Sequence, residues 1–145
     1  MPAVFKLLLA ISMAMLLVGS HVAAQNCGLA EAERIAMSFW YRMSLAAHKQ
    51  NEKDLEALFS NSFVFQHCDN KTMTKDAMVA YLMESGLSLE FSIKLDWAVL
   101  MFSGKVTMAF TFKNAYERLE GIVYLELQNL DNHFVAISGS KHDCN

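Results

Sequence analysis

The stretch SFVFQHCDNKT, residues 62–72, gathers more chemistry than any other part of this chain. Strand alternation puts Phe63, Phe65 and His67 on one face and Val64, Gln66 and Cys68 on the other. An apolar face therefore ends in an imidazole. Histidine titrates near neutrality, which suits a general base removing a proton from a substrate carbon. Asp69 lies two residues on, on the same face if the strand continues, and would orient that imidazole. His67 and Asp69 are thus the catalytic candidates. The pair has two plainer uses, lining a pocket without chemistry or forming a solvated rim, and pocket lining is the expectation. Asn70-Lys71-Thr72 is the one Asn-x-Ser/Thr sequon, and its place in a turn makes Asn70 a glycosylation candidate.

Three cysteines, Cys27, Cys68 and Cys144, accompany these residues. In an oxidising compartment two are expected to pair, and their spacing leaves open which. No C-x-x-C or H-x-x-x-H spacing exists, so no metal site is expected. His48 falls at a helix end, where the dipole favours a cation. His133 and His142 flank the last strand without partners at metal spacing. The chain has no Gly-rich phosphate loop, Gly-x-Ser-x-Gly elbow or Cys-His-Asn arrangement, which sets aside phosphoryl transfer and serine-type hydrolysis. No cofactor is expected.

The compartment is read from the N-terminus. MPAVFK carries one cation, LLLAISMAMLLV is unbroken apolar, and GSHVAA supplies small residues before Gln25. That pattern predicts a signal peptide over 1–24. Its apolar run is shorter than the roughly 18–20 residues that span a bilayer, so no membrane insertion is expected once it is removed. Residues 25–145 then make a single secreted, extracellular domain. Loss of Lys6 takes the formal charge from −3 to −4. An acidic domain without a basic run does not suit nucleic acid.

These side chains need elements to position them. Ile35, Phe39, Arg42, Met43 and Ala46 recur at helical spacing over 29–48. Asn51 and Asp54 start a short second helix whose buried stripe is Leu55, Leu58 and Phe59. After the opening strand, Thr74 caps a third helix with Ala77, Met78, Tyr81 and Leu82 inward and Gly86 at its end. Leu89, Phe91, Ile93, Leu95, Trp97 and Val99 then alternate with polar residues, the mark of a strand buried on one face. Asp96 falls on the polar face. Three more strands follow, with turns at Ser103-Gly104 and Leu130-Asp131-Asn132. The order predicts an α+β fold: three helices packed on a curved, mainly antiparallel sheet that forms a cone open at one end. A pocket would form at that opening, lined by Phe39, Met43, Phe63, Phe65, His67, Tyr81, Met108 and Phe110. Met37, Met43, Met78, Met83, Met101 and Met108 are read as gap fillers of this interior. Tyr41, Tyr124, Trp40 and Trp97 are further wall candidates, with plain packing as the alternative.

DLEALFSNSFVFQHC, preceded by ERIAMSFWYRMSLAAHKQNEK and followed by TKDAMVAYL and a four-strand meander, resembles the nuclear transport factor 2-like superfamily, a cystatin-like roll. The likeness runs over 29–142 and is greatest to small secreted members from nematodes. The superfamily holds isomerases, dehydratases, cyclases and non-catalytic domains, so fold does not fix function. In its isomerases the end of the first strand bears a catalytic carboxylate, where His67 stands here. Their first-helix tyrosine falls near Met43 and their late-strand acid near Tyr124, so that constellation is not intact. The dehydratase branch does use histidine and aspartate inside the cone. The resemblance also implies a last strand beside the first hairpin, which favours Cys68–Cys144 as the disulfide, with Cys27 as the competing partner. The expectation is non-enzymatic binding of a small apolar molecule in the cone, or of a protein on the sheet face. The alternatives are a cofactor-free isomerase or dehydratase with His67 as base, and a homodimerising interaction module.

Overall fold

The computed structural model describes residues 30–68, 70–85, 91–114 and 119–141. Helix α1 (30–48) leads to α2 (Glu52–Glu56), β1 (Phe59–Gln66), the short β2 (Thr72–Thr74) and α3 (Lys75–Ser85). Strands β3 (Phe91–Leu100), β4 (Lys105–Asn114), β5 (Leu119–Leu130) and β6 (His133–Lys141) follow. All six strands join one sheet in the order β2-β1-β6-β5-β4-β3. Every neighbouring pair is antiparallel except β1 with β6. The architecture is thus the expected α+β one, with a curved, mixed sheet that does not close into a barrel.

Local chemistry sets the element ends. Gln50 takes φ +53°, and the N–H groups of Gln50 and Asn51 donate to Ala47 and Ala46 carbonyls at 3.1 and 2.9 Å. This Schellman closure stops α1. The Gln50 amide then donates to the Met83 carbonyl at 3.0 Å, tying the end of α1 to α3. Asn51 accepts from the Asp54 N–H at 3.2 Å and donates to the Asp54 carboxylate at 2.7 Å, a reciprocal cap for α2. Leu55, Leu58 and Phe59 are all buried, but they do not form one helical stripe. The helix stops at Glu56, and Phe59 already opens β1. At the β5–β6 turn, Asp131 and Asn132 take φ of 51° and 65°, the two left-handed residues a tight hairpin needs.

Two features depart from the pattern read in the sequence. On α3, Val79 and Leu82 are the buried residues, while Ala77 and Tyr81 are exposed. Residues 77–83 are apolar all round (AMVAYLM), so periodicity cannot choose a face there. On β3, Leu95 pairs with Phe110 but Trp97 pairs with Ala109, leaving Asp96 as an extra residue. This bulge flips the alternation. Ala98 is buried where Trp97 was expected to be, and Trp97 and Val99 face out, 42% and 39% exposed. The Thr111 hydroxyl donates to Asp96 at 2.7 Å and Lys94 stands 3.5 Å from it, so the outer face holds the bulge. Gly86 and Leu89 lie outside the described residues.

Candidate functional site

Side chains on the inner face of the sheet fall into rows that cross the strands. The first is Leu100, Val106, Leu127 and Ala136, and the second is Ala98, Met108, Leu125, Gly139 and Phe65. The third is Leu95, Phe110, Val123 and Lys141, and the fourth is Ile93, Phe112 and Gly121. Val106, Leu127 and Ala136 are fully buried, whereas Val123, Phe112 and Ile93 are half-buried. The sandwich is therefore sealed at the first row and opens towards the fourth. Phe39, Phe59 and Phe63 run from the sealed part to the cavity wall, with ring centroids 6.4 and 4.8 Å apart in edge contacts.

Over the open rows lies a cavity of about 330 Å³. Its sheet wall is Leu125, Phe110, Val123, Lys141, Ile93 and Phe112. Trp40 and Met43 close it from α1, and Met78, Tyr81 and Leu82 from α3. Phe59, Phe63, Phe65, His67 and Met73 complete it from the first hairpin. The Trp40 ring packs 5.3 Å from Phe110. Of the expected pocket residues, Met43, Phe63, Phe65, His67, Tyr81 and Phe110 line this space. Phe39 and Met108 do not; each is 1% exposed and sits in the sealed packing. Trp97 and Tyr124 pair with each other on the outer face, at 6.1 Å, and Tyr41 is exposed on α1.

His67 follows the last residue of β1 and is exposed. Its N–H donates to the Lys71 carbonyl at 2.8 Å and its carbonyl accepts from Asn70 at 3.1 Å, with Asn70 at φ +60°. The imidazole thus stands at the cavity's mouth rather than within the strand. Asp69, its proposed orienting partner, lies outside the described residues, as do Cys27, Cys144, His142 and the segment 1–24. Among the described residues no group of three His, Cys, Asp or Glu side chains is placed to hold a metal. No described helix is long and apolar enough to cross a membrane.

The basic residue not anticipated is Lys141. Gln66 pairs with Ser140 in the parallel β1–β6 ladder, so His67 and Lys141 follow on at the same end of adjacent strands. Lys141 also pairs with Val123, which puts its side chain on the inner face. Its stem crosses Gly121, where a Cβ would meet Lys141 Cε at 2.7 Å, and its ammonium sits 5.2 Å from the Phe112 ring centroid. The signal available in the sequence was that glycine, which leaves one lane of the face empty.

A family model for the NTF2-like domain matches residues 33–145. Comparison with the curated proteins found no match. Among solved structures, an NTF2-like protein from Cytophaga hutchinsonii superposes with a TM-score of 0.59 at 12% identity, covering 77% of this chain and 98% of that one. An NTF2-like protein of unknown function from Silicibacter pomeroyi gives a TM-score of 0.63 at 9% identity, covering 78% and 96%. A domain of unknown function with a cystatin-like fold from Nostoc punctiforme gives 0.59 at 10%, covering 79% and 78%. At such identities the likeness is one of fold.

Proposed function

The chain belongs to the NTF2-like family, and from that premise we propose that it is a secreted, non-enzymatic member that holds a small apolar molecule in its cone. The supporting observation is the open cavity of about 330 Å³, whose lining among the described residues is apolar apart from His67, Tyr81 and Lys141. That size lies at the small end of the roughly 300–1,000 Å³ typical of ligand pockets. At about 30 Å³ for each water-sized unit, it accommodates on the order of ten non-hydrogen atoms.

The chain supplies its own reporter. It has two tryptophans, Trp40 on the cavity wall and Trp97 on the outer face of the sheet. In a Trp97→Phe variant the remaining indole reports cavity occupancy. Titration with decanol is expected to give a saturable change in Trp40 emission, and native mass spectrometry a one-to-one adduct. A linear, non-saturating response with no adduct would sink the proposal.

Secretion brings its own expectations, a mature chain beginning at Gln25, a glycan on Asn70 and a Cys68–Cys144 bridge. Asn70 is exposed in its turn, which favours access for glycosylation. The Cys68 sulfur is engaged rather than free and lies 3.6 Å from the Lys141 carbonyl, three residues before Cys144. Peptide mapping of protein from a secreting host reads all three at once. The place of His67 on the cavity wall also supports a second reading, in which it shuttles a proton on a bound unsaturated ketone. Conversion of a β,γ-unsaturated ketone to its conjugated isomer, lost in His67→Gln, would favour that reading; a rate equal to buffer alone would end it.

A further inference from the structure

Given an apolar ligand in the cone, as proposed, we infer that the ligand carries an anionic head, a carboxylate on a chain of about ten carbons or its equivalent in size, held at the mouth by Lys141. Four observations converge on this. Among the described residues the lining contains no aspartate or glutamate, while it contains a lysine and a histidine. Those two basic residues follow the paired positions Gln66 and Ser140, so they occupy one corner of the mouth. Among the described residues no carboxylate pairs with the Lys141 ammonium; its recorded side-chain neighbour is the Phe112 ring. Gly121 leaves the lane through which the lysine stem reaches this place, since even one added carbon would meet Cε at 2.7 Å.

The physical reason is a matching of polarity along one axis. Rows of Phe, Val and Ile side chains suit an alkyl or aromatic body, which gains by leaving water. Its polar end must remain at the opening, because burying it unpaired is costly. A neutral end would find water there as readily as protein. An anionic end finds a cation with no competing carboxylate among the described residues, and a charge-assisted hydrogen bond is stronger than a neutral one. The chain's formal charge of −3, or −4 without residues 1–24, repels anions as a whole, so any preference for them must come from this corner. A lysine that merely snorkels, covering apolar surface with its stem, would show no such preference.

The test uses three probes of matched length, decanoate, decanol and decylamine, on the Trp97→Phe protein at fixed ionic strength. Decanoate is expected to bind about tenfold more tightly than decanol, with decylamine weakest. Lys141→Gln should bring decanoate and decanol within threefold of each other, and Lys141→Arg should restore the gap. Gly121→Ala keeps the charge but displaces the stem, and should also narrow the gap; it decides the matter if Lys141→Gln weakens decanol as well. Equal binding of decanoate and decanol to the parent protein, or a gap that survives both Lys141→Gln and Gly121→Ala, overturns the anionic head and leaves the apolar cavity standing. Failure of all three probes to bind overturns both.

Discussion

Leu127 and Val123 stand on the same face of the same strand, four residues apart, yet they occupy different surroundings. Leu127 is fully buried between Val106 and Ala136 in the sealed row. Val123 is half-buried between Phe110 and Lys141 and looks into the cavity. The sealed end spends its apolar side chains on packing, and the open end leaves them unpaired for something else to cover. One continuous hydrophobic face can thus serve stability at one end and binding at the other.

Truncations along this face break or sharpen that contrast. Leu127→Ala should cost the most, about 2–5 kcal/mol in urea unfolding, because the removed atoms leave a void that close packing cannot fill. Gly139→Ala, at the second row, tests the opposite error. Its Cβ would stand 2.6 Å from Leu125 Cδ2 and 2.7 Å from Phe65 Cδ2, so overpacking of about 1–3 kcal/mol is expected. Val123→Ala should cost about 1 kcal/mol or less, since the space beside it already exists, and should weaken decanol binding in the same preparation. A loss from Val123→Ala equal to that from Leu127→Ala would erase the distinction between the two ends. His67→Gln, at an exposed position beyond the strand, should change unfolding by no more than about 0.5 kcal/mol.

Much of this was legible in the residues, and what was not has identifiable causes. The helix order, the cap at Asn51 and the turn at Asp131-Asn132 follow from local chemistry, which acts within a few residues and so can be read from them. The face of α3 was not readable, because AMVAYLM offers no polar side to mark the outside. Phe39 and Met108 have the right types for a pocket, but whether an apolar side chain meets a neighbour or a void depends on how far the helices extend over the sheet. His67 drew attention through its chemistry. Lys141 did not, since a lysine at a strand end reads as solvated until the register with Val123 places it on the inner face. Side-chain type suggests a site, and register decides which residues reach it.

The extra residue at Asp96 makes parity along β3 a local property. Ile93 and Leu95 belong to the inner rows, and so do Ala98 and Leu100; odd numbers point inward on one side of the bulge and even numbers on the other. Facing is thus counted from residue 96 and not from the start of the strand. Deleting that single residue, without altering any other, would restore unbroken alternation from Leu95 onward. Trp97 would then follow Leu95 directly and stay outward opposite Ala109, and Ala98 would stay inward opposite Met108, so the bulge absorbs one residue without moving its neighbours across the sheet. On this strand the point at which the extra residue is absorbed determines which side of the sheet each residue serves.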